Sequence, residues 1–114
     1  MSGTTTNPLA TAAALIAGGL TVTSTSTASL NGTYQCDDLA RGAMGMQNME
    51  IAQNNDFVGG TQTLNWPDTS GAMHAFTPAQ FVPFVIAIDA FYSACLTYAA
   101  GASAGPPAST ATIP

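Results

Sequence analysis

The sequence predicts an α+β fold, in which a small antiparallel sheet of about four strands, arranged as two hairpins, has two or three helices packed on one face. Three observations predict it. Apolar residues recur at helical spacing in three segments. Between these lie two segments in which apolar and polar residues alternate, and turn residues mark the boundaries. The resulting order of helix, hairpin, helix, hairpin and helix is typical of the α+β class.

The chain has 114 residues, which gives room for one domain. We predict an N-terminal arm with a short alanine-rich helix at 1–19, a core domain at 20–99 and an extended Ala/Gly/Pro tail at 100–114. Both ends contain few large apolar side chains, too few to offset the entropy that a segment loses when it becomes ordered.

The first helix is predicted to start at Asn7-Pro8. Asn7 is a favourable N-cap, and Pro8 suits the first helical position because it has no backbone N–H to leave unpaired. Small and apolar residues recur at helical spacing up to Ile16, and the glycine pair at 18–19 ends the helix.

Residues 20–36 predict the first hairpin. Leu20 and Val22 alternate with threonines in the outgoing strand. Asn31-Gly32 is a favourable turn, and residues 33–36 form the returning strand. The Thr- and Ser-rich stretch at 23–29 is alternatively a wide loop.

Asp37-Asp38 predicts the start of the second helix, because carboxylates cap the first turn and interact favourably with the helix dipole. The apolar residues that share one face of this helix, up to about residue 53, are Leu39, Ala43, Met46 and Met49. Gly42 and Gly45 each weaken the helix by about 1 kcal/mol relative to alanine. Close approach of another backbone would account for them.

Residues 61–76 predict the second hairpin. Leu64 and Trp66 point to one face, residues 67–71 (PDTSG) have the composition of a turn, and residues 73–76 return.

The third helix begins with the clearest local motif in the chain. Thr77 is the N-cap, Pro78 takes the first helical position, and Gln80 completes a capping box. Phe76 and Phe81 flank the cap at the spacing of a hydrophobic staple. The apolar residues that follow cover one broad arc, so this helix is predicted to be the centre of the core.

The same helix is nearly long enough to span a bilayer. Asp89 lies in its middle, Pro83 interrupts its hydrogen bonds, and no lysine or arginine flanks either end. We therefore interpret it as a buried core helix.

Charged residues are scarce. The chain has one basic and six acidic residues, 6% of the total, whereas soluble domains have about 25%. Soluble monomers use charge to avoid association, so a surface of Thr, Ser, Asn, Gln and Ala indicates faces that other proteins cover. With a net charge of −5, the chain is not expected to bind nucleic acid or an anionic membrane, since both require several basic side chains.

Residues 30–96 resemble a small module of tailed-bacteriophage and prophage virion proteins of the tail-fibre-associated type. The matching pieces are LNGTY at 30–34, a central helix, DFVGG at 56–60, LNWPDTSG at 64–71 with His74 and Phe76, TPAQF at 77–81, and an Ala/Tyr-rich helix from 87 to 98. The hairpin that leads into the capped helix is the most distinctive piece. The resemblance implies a role in the virion and no catalytic residue.

Asp68, Ser70 and His74 have the residue types of a nucleophilic triad. All three lie around one hairpin turn, without an oxyanion site or pocket that the sequence indicates. We expect Asp68 and Ser70 to bond the turn backbone and His74 to be a cross-strand side chain. The adjacent carboxylates Asp37 and Asp38 are expected to cap a helix rather than to bind a cation.

Cys36 and Cys95 leave three alternatives open: two buried free thiols, an internal disulfide, or a bridge between subunits. An internal disulfide would stabilise the fold by about 4 kcal/mol in the chain-entropy model. A zinc site that used Cys36, His74 and Cys95 would lack the close ligand spacing of known zinc motifs.

These observations predict a non-enzymatic virion structural protein, associated with the tail, fibre or collar and assembled in the cytoplasm of the bacterial host. We expect it to be a homo-oligomer that packs against other virion proteins, with no cofactor, metal ion or small-molecule substrate. The candidate interface residues are Val82, Ile86, Met44 and Ile113. The alternatives are a capsid decoration protein on the head and a fibre-assembly helper that is absent from the mature particle.

Overall fold

A computed structural model describes residues 7–102 and 104–114, and these residues form three α-helices and five strands. The elements in chain order are α1 (Pro8–Gly18), β1 (Leu20–Ser24), β2 (Gly32–Tyr34), α2 (Asp38–Asn54), β3 (Leu64–Pro67), β4 (Met73–Phe76), α3 (Pro78–Ala99) and β5 (Thr110–Ile113). The predicted α+β class is confirmed.

The strands form two sheets instead of the single sheet that was predicted. In the first sheet β1 lies between β2, which is antiparallel to it, and β5, which is parallel to it. The second sheet is the antiparallel hairpin of β3 and β4, with Leu64 opposite Phe76. The fifth strand, β5, was not predicted because it falls in the segment expected to be an extended tail. Its four residues are too short and too polar to indicate a strand before their partner β1 is known.

The connection between β1 and β2 also differs from the predicted hairpin. A short 3₁₀ helix at Ala28–Leu30 makes the turn, and the side chain of Asn31 accepts a hydrogen bond from the Ser24 amide at 2.7 Å. Gly32 is the first residue of β2. A Cβ atom there would lie 3.2 Å from both Nε2 of His74 and Oδ2 of Asp68, so the glycine allows those side chains to approach the strand.

The helix caps follow the sequence predictions. Oδ1 of Asn7 accepts hydrogen bonds from the amides of Leu9 and Ala10 at the start of α1. Thr77 and Gln80 form the reciprocal capping box of α3. The staple forms as well, since the Phe76 and Phe81 rings pack edge to face at 5.5 Å between centroids.

The core is built around α3, which packs against α1, α2 and both sheets. Its buried face consists of Phe81, Phe84, Val85, Ile88, Phe91, Cys95 and Tyr98. Phe81 contacts the rings of Phe57 and Trp66, while Phe84 contacts those of Tyr34 and Phe76. Three of these pairs are edge to face and the Phe76–Phe84 pair is tilted, and aromatic pairs of this kind contribute about 0.5–1.5 kcal/mol each beyond burial. By length and composition alone α3 could also cross a membrane. Here its apolar face fills the core of the chain itself.

Candidate functional site

The predicted polar cluster on the second hairpin joins three elements. Nε2 of His74, on β4, lies 2.8 Å from Oδ2 of Asp68, which follows β3. Nδ1 of the same ring lies 2.7 Å from the carbonyl oxygen of Ser29 in the 3₁₀ turn. The backbone adds a further link, because the amide of Thr69 donates to the carbonyl oxygen of Thr33 on β2 at 2.7 Å. The cluster therefore holds the β3–β4 hairpin against the first sheet.

His74 carries a positive charge in this arrangement. A carbonyl oxygen and a carboxylate can only accept hydrogen bonds, so both ring nitrogens of His74 must donate. Burial disfavours the charged imidazolium, but the hydrogen bonds to Asp68 and Ser29 outweigh it and raise the pKa of His74 above its ordinary value. Hydrogen bonds from His74 and from the Ser70 hydroxyl lower the pKa of the Asp68 carboxyl.

The three polar residues cannot act as a nucleophilic triad. Oγ of Ser70 donates to Oδ1 of Asp68 at 2.6 Å, so the aspartate lies between the serine and the histidine. A triad needs the histidine in the middle, with a nitrogen that takes the proton of the serine. Both nitrogens of His74 are already donors. The expected structural role of the cluster agrees with this geometry, since Oδ1 of Asp68 also accepts from the amides of Ser70 and Ala72 within the turn.

Cys36 and Cys95 are both buried, and both are free thiols in the structure. Burial raises the pKa of the Cys36 thiol to about 11, and burial also raises the pKa of Cys95. Both thiols therefore stay protonated at neutral pH and pack as small apolar groups. The described residues contain no group of three metal-ligating side chains, and both nitrogens of His74 are occupied by hydrogen bonds.

Two of the four candidate interface residues lie in the interior. Met44 and Ile113 are buried in the core cluster, so neither lies on the surface of the single chain, and their prediction as exposed interface residues is corrected. Val82 is partly exposed, and Ile86 is 61% exposed on the outer side of α3. The error has one cause for each residue: Met44 lies opposite the apolar stripe of α2, and Ile113 belongs to a strand that was not predicted.

The outer face of α2, defined by Leu39, Gly42, Met46 and Met49, is the most apolar exposed surface that the helices present. Leu39 is 84% exposed, Met46 58% and Met49 64%. Their positions alternate steps of three and four residues, which places them along one side of the helix. The sequence predicted an apolar face of Leu39, Ala43, Met46 and Met49 without its direction, and three of these residues lie on the outer face while Ala43 is partly buried. The stripe faces outward, and the core instead takes Met44 from the opposite side.

Gly42 lies in the middle of this surface and has open space above it. Apart from the adjoining residues and the backbone of α2 itself, no atom of the described residues lies within 4 Å of the position that a Cβ would take at Gly42 or at Gly45. The close backbone approach that we expected at these glycines is therefore not made by the described part of this chain.

The inner side of α2 is held weakly. Within α2, all of which is described, Met44 is the only fully buried side chain. The Arg41 guanidinium lies over the ring of Tyr92 on α3, 3.3 Å from its centroid, and also pairs with Asp38 at 2.7 Å. Nε of Arg41 and Oδ1 of Asn48 are buried without a hydrogen-bond partner among the described residues, which costs about 1–3 kcal/mol for each atom. Beside Met44, only the partly buried Ala40 and Ile51 of this 17-residue helix pack against the core cluster, so α2 is attached by few apolar contacts.

Two open grooves lie beside α3. One, of about 390 Å³, separates Ser93, Ala94 and Thr97 from Gly105 and Pro107 of the segment that follows the helix. The other, of about 330 Å³, lies between α1 and the start of α2, with Tyr92 at its base. The first is lined mainly by small side chains. The second also contains the carboxylates of Asp37 and Asp38, but the Ala40 amide donates to Asp37 and Arg41 pairs with Asp38, so neither groove has the convergent polar groups of a substrate site.

Comparison of the chain with known protein families, curated protein sequences and solved structures finds no match.

Proposed function

We propose that this chain is a non-enzymatic structural protein of a bacteriophage particle, associated with the tail, fibre or collar, and that it assembles through the outer face of α2. The observation that carries the proposal is the direction of the apolar stripe on that helix. The chain contains an amphipathic pattern that its own core does not use. A second protein that covers this face would remove it from water.

The surface as a whole supports a role in assembly. Eight large apolar side chains are exposed among the described residues, more than the one basic and six acidic residues of the whole chain. They are Leu9, Leu39, Met46, Met49, Val58, Met73, Ile86 and Leu96. Exposed apolar residues in such number, with so little charge to oppose association, are typical of protein–protein contact surfaces.

The assignment to a phage particle comes from the resemblance of residues 30–96 to a virion module. The distinctive part of that resemblance, residues 64–81, corresponds to the β3–β4 hairpin and the capped start of α3. In the proposed role the hairpin and α3 provide a rigid support, and the lightly attached α2 presents the contact surface.

The test compares the unmodified chain with Met46→Glu. We expect the unmodified chain to associate, with a mass that rises with concentration in analytical ultracentrifugation, and to be present in purified particles of its phage. Met46→Glu should lower association at least about tenfold, since it places a charge in an apolar contact. Its free energy of unfolding should change by less than about 0.5 kcal/mol, because position 46 is exposed in the single chain.

Met73→Glu is the matched control, because Met73 on β4 is as exposed as Met46 but lies outside the outer face of α2. Association should persist in this variant. A well-folded unmodified chain that stays monomeric at all concentrations, and that mass spectrometry does not detect in particles, would overturn the proposal.

A further inference from the structure

We infer that β5 exchanges between copies of this chain, so that the strand of one copy pairs with β1 of a neighbour. The inference rests on the proposed role in assembly and gives that role a specific partner, a second copy, and a specific contact, the β1–β5 ladder. Three features of the structure support it: the contacts that hold β5, the segment that connects α3 to β5, and the groove beside that segment.

The contacts that hold β5 come chiefly from β1. Four residue pairs form the parallel ladder, from Thr21 opposite Thr110 to Ser24 opposite Ile113. The amide of Thr25 donates to the carbonyl oxygen of Ile113 at 2.9 Å, and the Ser24 hydroxyl donates to that of Pro114 at 2.8 Å. None of these contacts depends on the path by which β5 arrives. A β5 strand from a second copy would make the same hydrogen bonds.

The position beside β1 that β5 occupies cannot stay empty without a loss of stability. Ile113 is buried in the core cluster, and Ala111 packs against that cluster. Removal of an isoleucine side chain from a core leaves a cavity, which destabilises the fold. Without β5, the backbone N–H and C=O groups on that edge of β1 would also lose their hydrogen-bond partners. A chain that gives up its own β5 therefore accepts another, which makes the exchange reciprocal.

The connection between α3 and β5 does little to fix that strand to its own chain. Residues 100–109 read AGASAGPPAS, so no side chain in the segment is large. Of the described residues among them, all are exposed except Pro107 and Ser109, which are partly exposed. Gly105 and Pro107 line the open groove of about 390 Å³ beside α3, so these two residues fill little of the space next to the helix. The Pro106-Pro107 pair favours an extended path.

Concentration decides between the closed and the exchanged forms. Because both forms contain the same ladder, their free energies differ mainly by the cost of joining two chains. A short flexible connection holds its own strand at an effective concentration on the order of mM. Dilute chains therefore close on themselves. Copies packed side by side in an assembly reach that range, and there exchange links one copy to the next through the hydrogen bonds and core packing of the exchanged strand.

The experiment uses two full-length variants, Thr23→Cys and Thr112→Cys. These exposed threonines lie opposite each other in the β1–β5 ladder. One variant is labelled with ¹⁵N, and the two are refolded together from denaturant and then oxidised. A disulfide that peptide mapping places between position 23 of one chain and position 112 of a chain of different mass, and not at the native Cys36 or Cys95, requires that β5 of one copy lie beside β1 of the other. We expect this heterodimer to rise with concentration towards the mM range.

The matched control pairs Thr33→Cys with Thr112→Cys. Thr33 lies on β2, on the far side of β1 from β5, so exchange does not bring these positions together. The 23–112 heterodimer should exceed the 33–112 heterodimer by at least about tenfold at the highest concentration, where exchange is favoured. Equal yields of the two heterodimers at that concentration would overturn the inference.

A second measurement needs no substitution. An equimolar mixture of differently isotope-labelled unmodified chains, refolded at mM concentration, should give isotope-filtered NMR contacts between β1 of one chain and β5 of the other. Their absence would overturn the inference even if a cysteine variant fails to fold.

The inference and the proposed function fail separately. If the chain exchanges β5 in solution but is absent from particles, the strand exchange is supported and the virion role is contradicted. If the chain is present in particles but its 23–112 heterodimer does not exceed the 33–112 heterodimer, the virion role stands and the exchange is ruled out. Met46→Glu should not change the 23–112 yield, because the outer face of α2 is a different contact.

Discussion

The His74 imidazolium bridges the Asp68 carboxylate and the carbonyl oxygen of Ser29, with nitrogen–oxygen distances of 2.8 Å and 2.7 Å. Two segments more than forty positions apart in sequence, the 3₁₀ turn and β4, are thereby tied through one side chain. This relationship gives the fold a dependence on pH whose direction follows from the two shifted pKa values.

The free energy of unfolding should fall as the pH is raised above neutral. The pKa of His74 is higher in the folded chain than in the unfolded chain, where it is about 6.5. Protonated His74 therefore stabilises the folded chain fully below about pH 6.5, and this stabilisation is lost as the pH rises through the folded pKa. The pKa of Asp68 is lowered, so its contribution is present above the unfolded value of about 3.9 and is lost in acid. Urea unfolding at pH 5.5 and at pH 8.5 measures the difference.

His74→Gln should remove most of the alkaline part of this dependence, since glutamine does not titrate. Tyr34 packs against the His74 ring, but burial raises the pKa of its hydroxyl, so it stays neutral over this range. If the unmodified chain and His74→Gln lose the same stability between the two pH values, the imidazolium has no such role.

Two neighbouring glycines should respond to alanine in opposite directions. Gly19 has a φ of 83°, and a Cβ there would lie 2.5 Å from the carbonyl oxygen of Tyr34, so Gly19→Ala forces the backbone to shift. Gly18 ends α1 and has nothing within 4 Å of its Cβ position among the described residues. We expect Gly18→Ala to stabilise the chain by about 0.4–1 kcal/mol and Gly19→Ala to destabilise it by more than about 1–2 kcal/mol. Thermal unfolding of both variants measures the contrast.

Gly42→Ala should separate the stability of α2 from its role as a contact surface. Replacement of glycine by alanine in the middle of an exposed helix stabilises the helix by about 1 kcal/mol. The single chain should therefore become more stable. Association should weaken, because the added methyl group keeps a partner backbone away from the helix. Sedimentation and urea unfolding on the same samples give both quantities, and a variant that associates as strongly as the unmodified chain would show that no backbone approaches Gly42.

The two cysteines should react slowly in the folded chain. Burial, with the raised pKa of about 11 for Cys36, leaves little thiolate and little access, so alkylation by iodoacetamide at pH 8 should be at least about 100-fold slower than in urea. Mass spectrometry of the alkylated chain counts the thiols. Recovery of two modified cysteines in non-reducing urea fits buried free thiols, and recovery of none would instead establish a disulfide.

Much of the local structure could be predicted from the sequence. The N-caps at Asn7 and Thr77, the capping box with Gln80 and the β3–β4 hairpin all follow from a few neighbouring residues, because the hydrogen bonds concerned join residues within one turn. The polar cluster of Asp68, Ser70 and His74 was predicted as turn structure for the same reason. The contact with Ser29 was not, since it joins segments that are distant in the chain.

By itself, then, the sequence determined the α+β class, the helix starts and the apolar stripe of α2, all of which depend on spacing and on contacts within one element. The tertiary structure alone decided that this stripe points away from the core, that Met44 points into it, and that residues 110–113 complete a sheet beside β1. The physical reason is that the direction of a helix face and the pairing of an edge strand depend on the free energy of packing between distant segments, which spacing along the chain does not encode.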